Sequence, residues 1–434
     1  MKKLILLVIV LLFNTLGFSS CKDDLSISSQ VIIPKDTVLL EKNVTKEQAI
    51  QYGDELIKKQ VAISKFEGEI YAHDSKLLIV DGIGYCAYYG NDASTQEGVA
   101  GQAVRLSVFD IENPRDKVVY DVFKSGVNYS NGIKFDDEHP CYTPVLFRTK
   151  EGSIRILSKV YQKGVSKYYY RDFDIKTKNI SEPKICKIVN DNLSLIDFDI
   201  VNVRKSLKVI LGENYKLSTD FMFMTSEPVR NGDSFLIGLT IGKFTVNWQT
   251  DEGTTILMKT DNAGQSFTVM GAPDSRQIAT KYCLQFVEGA FDLIDNNGKN
   301  MLLIGRNSLG NIMLSGSIDG GYTFTTPYSL NQACGYNTLA SKPNLIKYNE
   351  GYLSIWNTTE NANNYNYRTT LEIRYGKDPS MCGNPVKIKF RNQFGCHYPS
   401  LFRYKNNFYL TYTTDSRRFN RNSTGEICFI KLPF

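Results

Sequence analysis

The chain is poor in histidine, with three in 434 residues against 26 tyrosines. No two of its nine cysteines are separated by two residues, so the paired-cysteine signature of a structural zinc site is missing and no metal or cofactor is implied. Charge of one sign is lacking too. The formal net charge is +6 and the basic residues are scattered, which leaves no nucleic-acid footprint. A run long enough to span a bilayer is also missing, because the apolar stretch from Leu4 to Phe13 is too short. Several cysteines (Cys86, Cys283, Cys428) fall inside apolar runs, where a small buried thiol is expected. Export permits disulfides, but the spacings reveal none.

What the N-terminus does contain is an export address. Two lysines, the short apolar run and small residues precede Cys21, as in a secretory signal. The stretch "FSSC" resembles a bacterial lipobox, which implies that Cys21 becomes the lipidated first residue. Lys22, Asp23 and Asp24 resemble the surface-export signal of Bacteroidetes lipoproteins. The expected organisation is a signal peptide over 1–20, a lipidated tether with a short helix over 21–60, and one large domain over 61–434. The chain would then be a monomer on the cell surface, touching the outer membrane through its lipid only. The helix is placed at "TKEQAIQYGDELIKKQ" (45–60), where Thr45 and Gln48 form a capping box. Ala49, Ile50 and Ile57 supply its apolar face.

From about residue 66 short runs rich in Tyr, Phe, Ile, Leu and Val alternate with Gly, Asn and Asp clusters, an all-β pattern. Laid beside one another, the runs repeat. Each unit opens with an apolar strand, a polar turn and a second strand, at 76–90, 143–160, 227–242, 288–306, 342–357 and 398–414. A further strand ending near Asp or Gly completes each unit. Six units of roughly 60 residues predict a six-bladed β-propeller, since radial packing buries both faces of each meander and shelters its edges. The last unit holds three strands, and "FEGEIYAH" (66–73) is expected to close the ring as its fourth.

Two stretches fit the Asp-box of the sialidase superfamily, S-x-D-x-G-x-T/S-W/F. "SIDGGYTF" (317–324) fits throughout, and "TDNAGQSF" (260–267) carries Thr260 and Asn262 in the Ser and Asp places. In physical terms this is a tight turn between outer strands: the acidic side chain caps backbone N–H groups and Gly takes the left-handed position. It speaks for the fold and hardly for the activity.

Residues at the start of each inner strand ring the axis on one face of a propeller. Here they are His73 and Asp74, His139 and Tyr142, Glu227, Glu288, Lys342, and His397 with Tyr398. Polar groups converging in a concavity define a candidate site. The fourth unit runs from Glu288 through "LLIGR", ending at Arg306, to a complete Asp-box. It resembles the sialidase blade carrying the catalytic glutamate and the second arginine of the carboxylate-binding triad. Arg368 resembles the third arginine, and Tyr398 follows where sialidases place their nucleophilic tyrosine.

The resemblance implies a retaining glycosidase with Tyr398 as nucleophile and Glu288 taking its proton. Arg306 and Arg368 would clamp the carboxylate of an acidic sugar. A neutral tyrosine suits that substrate, because a carboxylate nucleophile would approach against like charge. The remaining ring residues, His73, His139, Tyr142, Glu227, Lys342 and His397, are expected to contact the glycan. The acid–base residue falls in "GNDASTQEGVAGQ" (90–102), with Asp92 and Glu97 as candidates. The family's opening F/Y-R-I-P motif, source of its first arginine, is missing, and His73 stands in its place. Two other readings stay open. One is another propeller carbohydrase, either an arabinanase-like enzyme using Glu227 and Glu288 or a uronic-acid lyase. The other is a non-catalytic glycan-binding protein on the cell surface.

Overall fold

The computed structural model describes residues 44–65, 67–190, 192–211, 221–243, 252–273, 284–295, 297–307, 309–358, 368–380, 383–392, 395–415 and 425–433. Cys21, Cys283 and the N-terminal tether lie outside them. The first described element is helix α1 (Lys46–Ile57). The Thr45 side chain accepts from the Gln48 N–H while the Gln48 side chain accepts from the Thr45 N–H, the expected reciprocal box. Its buried stripe, however, is Ala49, Gly53 and Leu56. Ile50 and Ile57 are only half-buried. The stripe follows the packing partner: α1 lies on the strand Val386–Arg391, where a Cβ on Gly53 would fall 2.1 Å from the Lys389 carbonyl oxygen.

The rest is an all-β propeller. The described strands form six sheets, five of them with four strands. The first sheet runs Tyr71–Val80, Ile83–Asn91, Ala103–Asp110 and Val118–Phe123 from inside to outside. The second, fourth and fifth begin at Tyr142–Arg148, Val287–Leu293 and Asn344–Tyr348 in the same way. The third is larger, with eight strands, and carries helix α2 (Ile200–Leu211) beside it. Every hairpin expected from the repeat is present, because alternating apolar residues had two sheet faces to fill.

The ring closes differently from the expectation. The fourth strand of the last sheet is Val61–Ala62, paired antiparallel with Gly425–Leu432. Residues 71–73 instead open the innermost strand of the first sheet. A two-residue strand carries no readable periodicity, so the longer apolar segment downstream masked it. The two Asp-box stretches form matching turns. Asp319 Oδ1 accepts from the N–H groups of Tyr322 and Thr323, at 3.1 and 2.9 Å. In the other, Asn262 Oδ1 accepts from the Ser266 N–H at 2.9 Å.

Candidate active site

Four inner strands start with the same irregularity. Their pairing register shifts between His73 and Lys76, Tyr142 and Val145, Val287 and Ala290, and His397 and Ser400. Inside each bulge one non-glycine residue takes a left-handed backbone: Asp74 (φ 46°), Thr143 (φ 39°), Glu288 (φ 52°) and Tyr398 (φ 54°). Such conformations are rare for bulky or β-branched residues. They persist where surrounding structure over-determines them, typically at functional sites. The bulge re-aims these side chains out of the strand's alternation and gathers them at one end of the propeller.

Tyr398 and Glu288 meet there. The Tyr398 hydroxyl donates to Glu288 Oε1 at 2.8 Å. Arg306 forks onto the same carboxylate, with Nε 2.6 Å from Oε2 and Nη2 2.9 Å from Oε1. The Arg368 guanidinium carbon lies 5.5 Å from the Tyr398 ring centre, and its Nη2 donates to the Ala340 carbonyl at 2.6 Å. Burial by itself would raise the Glu288 carboxyl; the charge and fork of Arg306, with Arg368 and Tyr398, outweigh it and hold the group below the usual range. Burial and the Glu288 charge push the Tyr398 phenol far up, so it is firmly neutral at rest.

His73 adjoins Tyr398 as well. Its ring lies 4.3 Å from that of Tyr398 and 5.1 Å from that of His397. Nδ1 is 3.0 Å from Thr413 Oγ1. Burial, with the neighbouring His397, drives its pKa down to about 3, so the imidazole stays neutral. His397 Nε2 pairs with Asp415 Oδ2 at 2.7 Å, and its Nδ1 is buried without a partner among the described residues.

Glu227 and Lys342 belong to a buried charge cluster. Asp74 Oδ1 accepts from Lys76 Nζ at 2.9 Å and from Lys342 Nζ at 3.0 Å. Lys342 Nζ also lies 3.9 Å from Glu227 Oε1, while Asn344 Nδ2 donates to Glu227 Oε2 at 2.6 Å. Burial would raise the Asp74 carboxyl, but Lys342 and Lys76 together hold it far below the ordinary value.

The two acid–base candidates part company. Asp92 turns away from the site and pairs with Lys65 Nζ at 2.9 Å and Arg105 Nη2 at 2.8 Å. Glu97 turns toward the site, and its Oε1 accepts from the Tyr89 hydroxyl at 2.5 Å. The residue keeps an exposed flank, yet its carboxyl end is crowded by surrounding protein. That desolvation, with the Glu288 and Asp74 charges, raises its pKa against the Tyr89 hydrogen bond. His139 stacks on Tyr161 at 4.3 Å, three residues before the bulge that holds Tyr142 and Thr143.

Several participants were not foreseen. Asp415 and Thr413 sit on the second strand of the last sheet, and Tyr89 on the second strand of the first. Each acts on a site residue from an ordinary strand position, so nothing in their spacing marks them. Lys76 is an in-strand lysine with 1% exposure, which reads in sequence as a solvated residue.

No protein-family model and no curated protein matches this sequence. Solved structures do. Trypanosoma rangeli sialidase superposes with a TM-score of 0.55 at 10% identity, over 83% of this chain and 55% of that one. The NanB sialidase of Streptococcus pneumoniae gives 0.53 at 12% identity, over 86% and 70%. A protein of unknown function from Dyadobacter fermentans gives 0.55 at 13% identity, over 86% of this chain and 98% of that one. This chain thus aligns to about half the length of the Trypanosoma sialidase, and the likeness is one of fold. The protein has a sialidase-like propeller.

Proposed function

We propose that this chain is a six-bladed, sialidase-like retaining glycoside hydrolase acting on sialic acid or a related acidic sugar, its eight-stranded sheet serving as the third blade. The observation that carries the reading is the contact chain from Tyr398 through Glu288 to Arg306. A phenol with a high pKa is a poor nucleophile. Here it already points its proton at a carboxylate kept ionised by a guanidinium. Tyr398 attacks the anomeric carbon and passes its proton to Glu288. Glu97, whose raised pKa keeps it protonated further up the pH scale, protonates the departing glycosidic oxygen. In the second step Glu97 takes a proton from water, whose oxygen bonds to the anomeric carbon and displaces Tyr398, and Glu288 returns its proton to the departing phenol oxygen.

Two guanidiniums would meet the substrate carboxylate. Arg306 is largely neutralised by Glu288 at rest, but proton arrival on Glu288 frees its charge as the tyrosyl bond forms. The interaction therefore strengthens toward the transition state, where it accelerates the reaction. With neutral His73 in the third corner, recognition of the carboxylate rests on these two. Crystals of the Trypanosoma rangeli sialidase hold sialic acid, and a covalent intermediate with 2,3-difluorosialic acid, which makes the same class of sugar the first to try here. In this reading the chain is exported, held to the outer membrane through Cys21, and acts as a monomer.

The test is release of a fluorescent aglycone from a panel of sialosides, KDN-glycosides and uronosides. Turnover is expected on at least one acidic sugar. Tyr398→Phe is expected to lower kcat by roughly 10³-fold or more with unchanged thermal unfolding. Equal turnover by wild type and variant would overturn the nucleophile. Glycan binding without any product would select a non-catalytic role.

A further inference from the structure

The bulge that carries Glu288 is built from two sheets. Its own strand shifts register between Val287 and Ala290, which takes Glu288 and Gly289 out of the regular ladder. A buried N–H left without an acceptor there would be costly. The third sheet supplies both acceptors. The Glu288 N–H donates to Thr240 Oγ1 at 2.8 Å, and the Gly289 N–H donates to Thr255 Oγ1 at 3.1 Å. Thr240 and Thr255 lie directly opposite each other on the strands Ser234–Lys243 and Glu252–Thr260, and both are buried.

These hydroxyls form a chain with one consistent direction. Thr255 Oγ1 donates to the Phe286 carbonyl at 3.1 Å, which commits its single proton. Thr240 Oγ1, 3.3 Å away, is then the donor to Thr255. The buried Thr225 hydroxyl, 3.2 Å from Thr240, is in turn the donor to Thr240. Each proton along the chain meets an acceptor, and each N–H of the bulge meets a lone pair. Gly289 is part of the fit: a Cβ there would fall 2.9 Å from Thr255 Oγ1 and 3.1 Å from Leu303 Cδ1. A glutamate at φ 52° is strained, and such a backbone persists only where its surroundings hold it. Without the two hydroxyls the strand can return to plain alternation, which turns the Glu288 side chain out of the site.

We propose that Thr240 and Thr255 are positioning residues: from the third sheet they fix the Glu288 bulge of the fourth, and so set the Glu288 carboxylate between Arg306 and Tyr398. The kinetic consequence rests on the hydrolase reading above, but the positioning does not. The charged and titratable groups facing this carboxylate are Arg306 on its own sheet, Arg368 leading into the fifth, Tyr398 on the last, and Glu97 from the loop of the first.

The test is an NMR titration of the glutamate carboxyl carbons in the full chain, with the Glu288 signal identified by its loss in Glu288→Gln. Wild type is expected to titrate below the ordinary carboxylate range. Thr240→Val replaces the hydroxyl with a methyl. Its Glu288 titration is expected to move up, because burial remains while the Arg306 fork loosens. Thr240→Ser keeps the hydroxyl and should restore the wild-type position. On a glycoside that the chain cleaves, Thr240→Val is expected to lower kcat about 10- to 10²-fold and to move the acid limb of the pH profile upward, and Thr240→Ser to reverse both. Thr225→Val removes only the outermost hydroxyl and should give a smaller shift in the same direction. An unmoved Glu288 titration in folded Thr240→Val, or in Thr225→Val should the first variant not fold, would overturn the proposal. So would an equal shift in Thr240→Ser. A chain whose Glu288 titration moves as expected but which cleaves no glycoside would keep the positioning role and lose the hydrolase reading.

Discussion

Glu97 and Glu288 are two carboxyls whose surroundings drive them in opposite directions. Glu97 donates only while protonated, so activity fails as pH rises through its raised pKa. Glu288 accepts only while ionised, so activity fails as pH falls through its lowered pKa. The expected kcat/KM profile is a bell with its alkaline limb above the ordinary carboxylate range. Glu97→Gln is expected to remove that limb and lower kcat about 10²–10⁴-fold on glycosides with poor leaving groups. A limb that survives the substitution would assign the acid elsewhere. Asp74 supports a stability prediction. Its folded-state pKa is depressed, so its contribution is present above about pH 3.9 and fades as pH falls toward the folded value. At pH 7 Asp74→Asn leaves Lys76 without its carboxylate and Lys342 with only Glu227 at 3.9 Å, at a cost of about 3–5 kcal/mol. Asn tolerates the left-handed backbone of this position, so the loss reports charge. Urea unfolding at pH 7 and near pH 3 checks it: the difference between wild type and variant should shrink at the lower pH.

At the scale of elements, the inner-strand bulges and helix α1 decide what reaches the site and what covers the rim. Helix α1 depends on Gly53, the only buried residue type that lets the helix approach the Lys389 carbonyl this closely. Gly53→Ala would raise helix propensity in isolation, yet here it is expected to destabilise the protein by about 1–3 kcal/mol through overpacking. An unchanged thermal midpoint would mean that α1 is not docked. The capping box of α1 was legible because its partners are three residues apart. The buried stripe was not, because a glycine contact leaves no hydrophobic signature. The same limit applied to the site. Tyr398, Glu288, Arg306 and Arg368 were readable from repeat position and family resemblance. The bulges that turn Tyr398 and Glu288 toward each other were not, since the residues holding the left-handed backbone are a tyrosine and a glutamate rather than glycines.

For the whole molecule, the ring is held shut by a short clasp. Besides the pairing of Val61 and Ala62, the Ile63 N–H donates to the Ile427 carbonyl at 2.8 Å, and the Ile63 side chain is fully buried. Ile63→Pro removes that donor and part of the packed side chain. It is expected to lower stability by about 3 kcal/mol and to broaden the urea transition, because an opened ring lets sheets unfold in turn. A transition of unchanged midpoint and slope would place closure elsewhere. Sequence by itself determined the all-β repeat, the hairpins, the turn chemistry at 260–267 and 317–324, and the residues worth testing. These depend on local periodicity and local hydrogen bonding. Only the tertiary structure decided that Glu97 rather than Asp92 faces the site, that Val61–Ala62 closes the ring, and that Lys159 lies caged beside Tyr142. Each depends on contacts between segments distant in the chain, and no spacing along one strand encodes which neighbour a ring of sheets will bring.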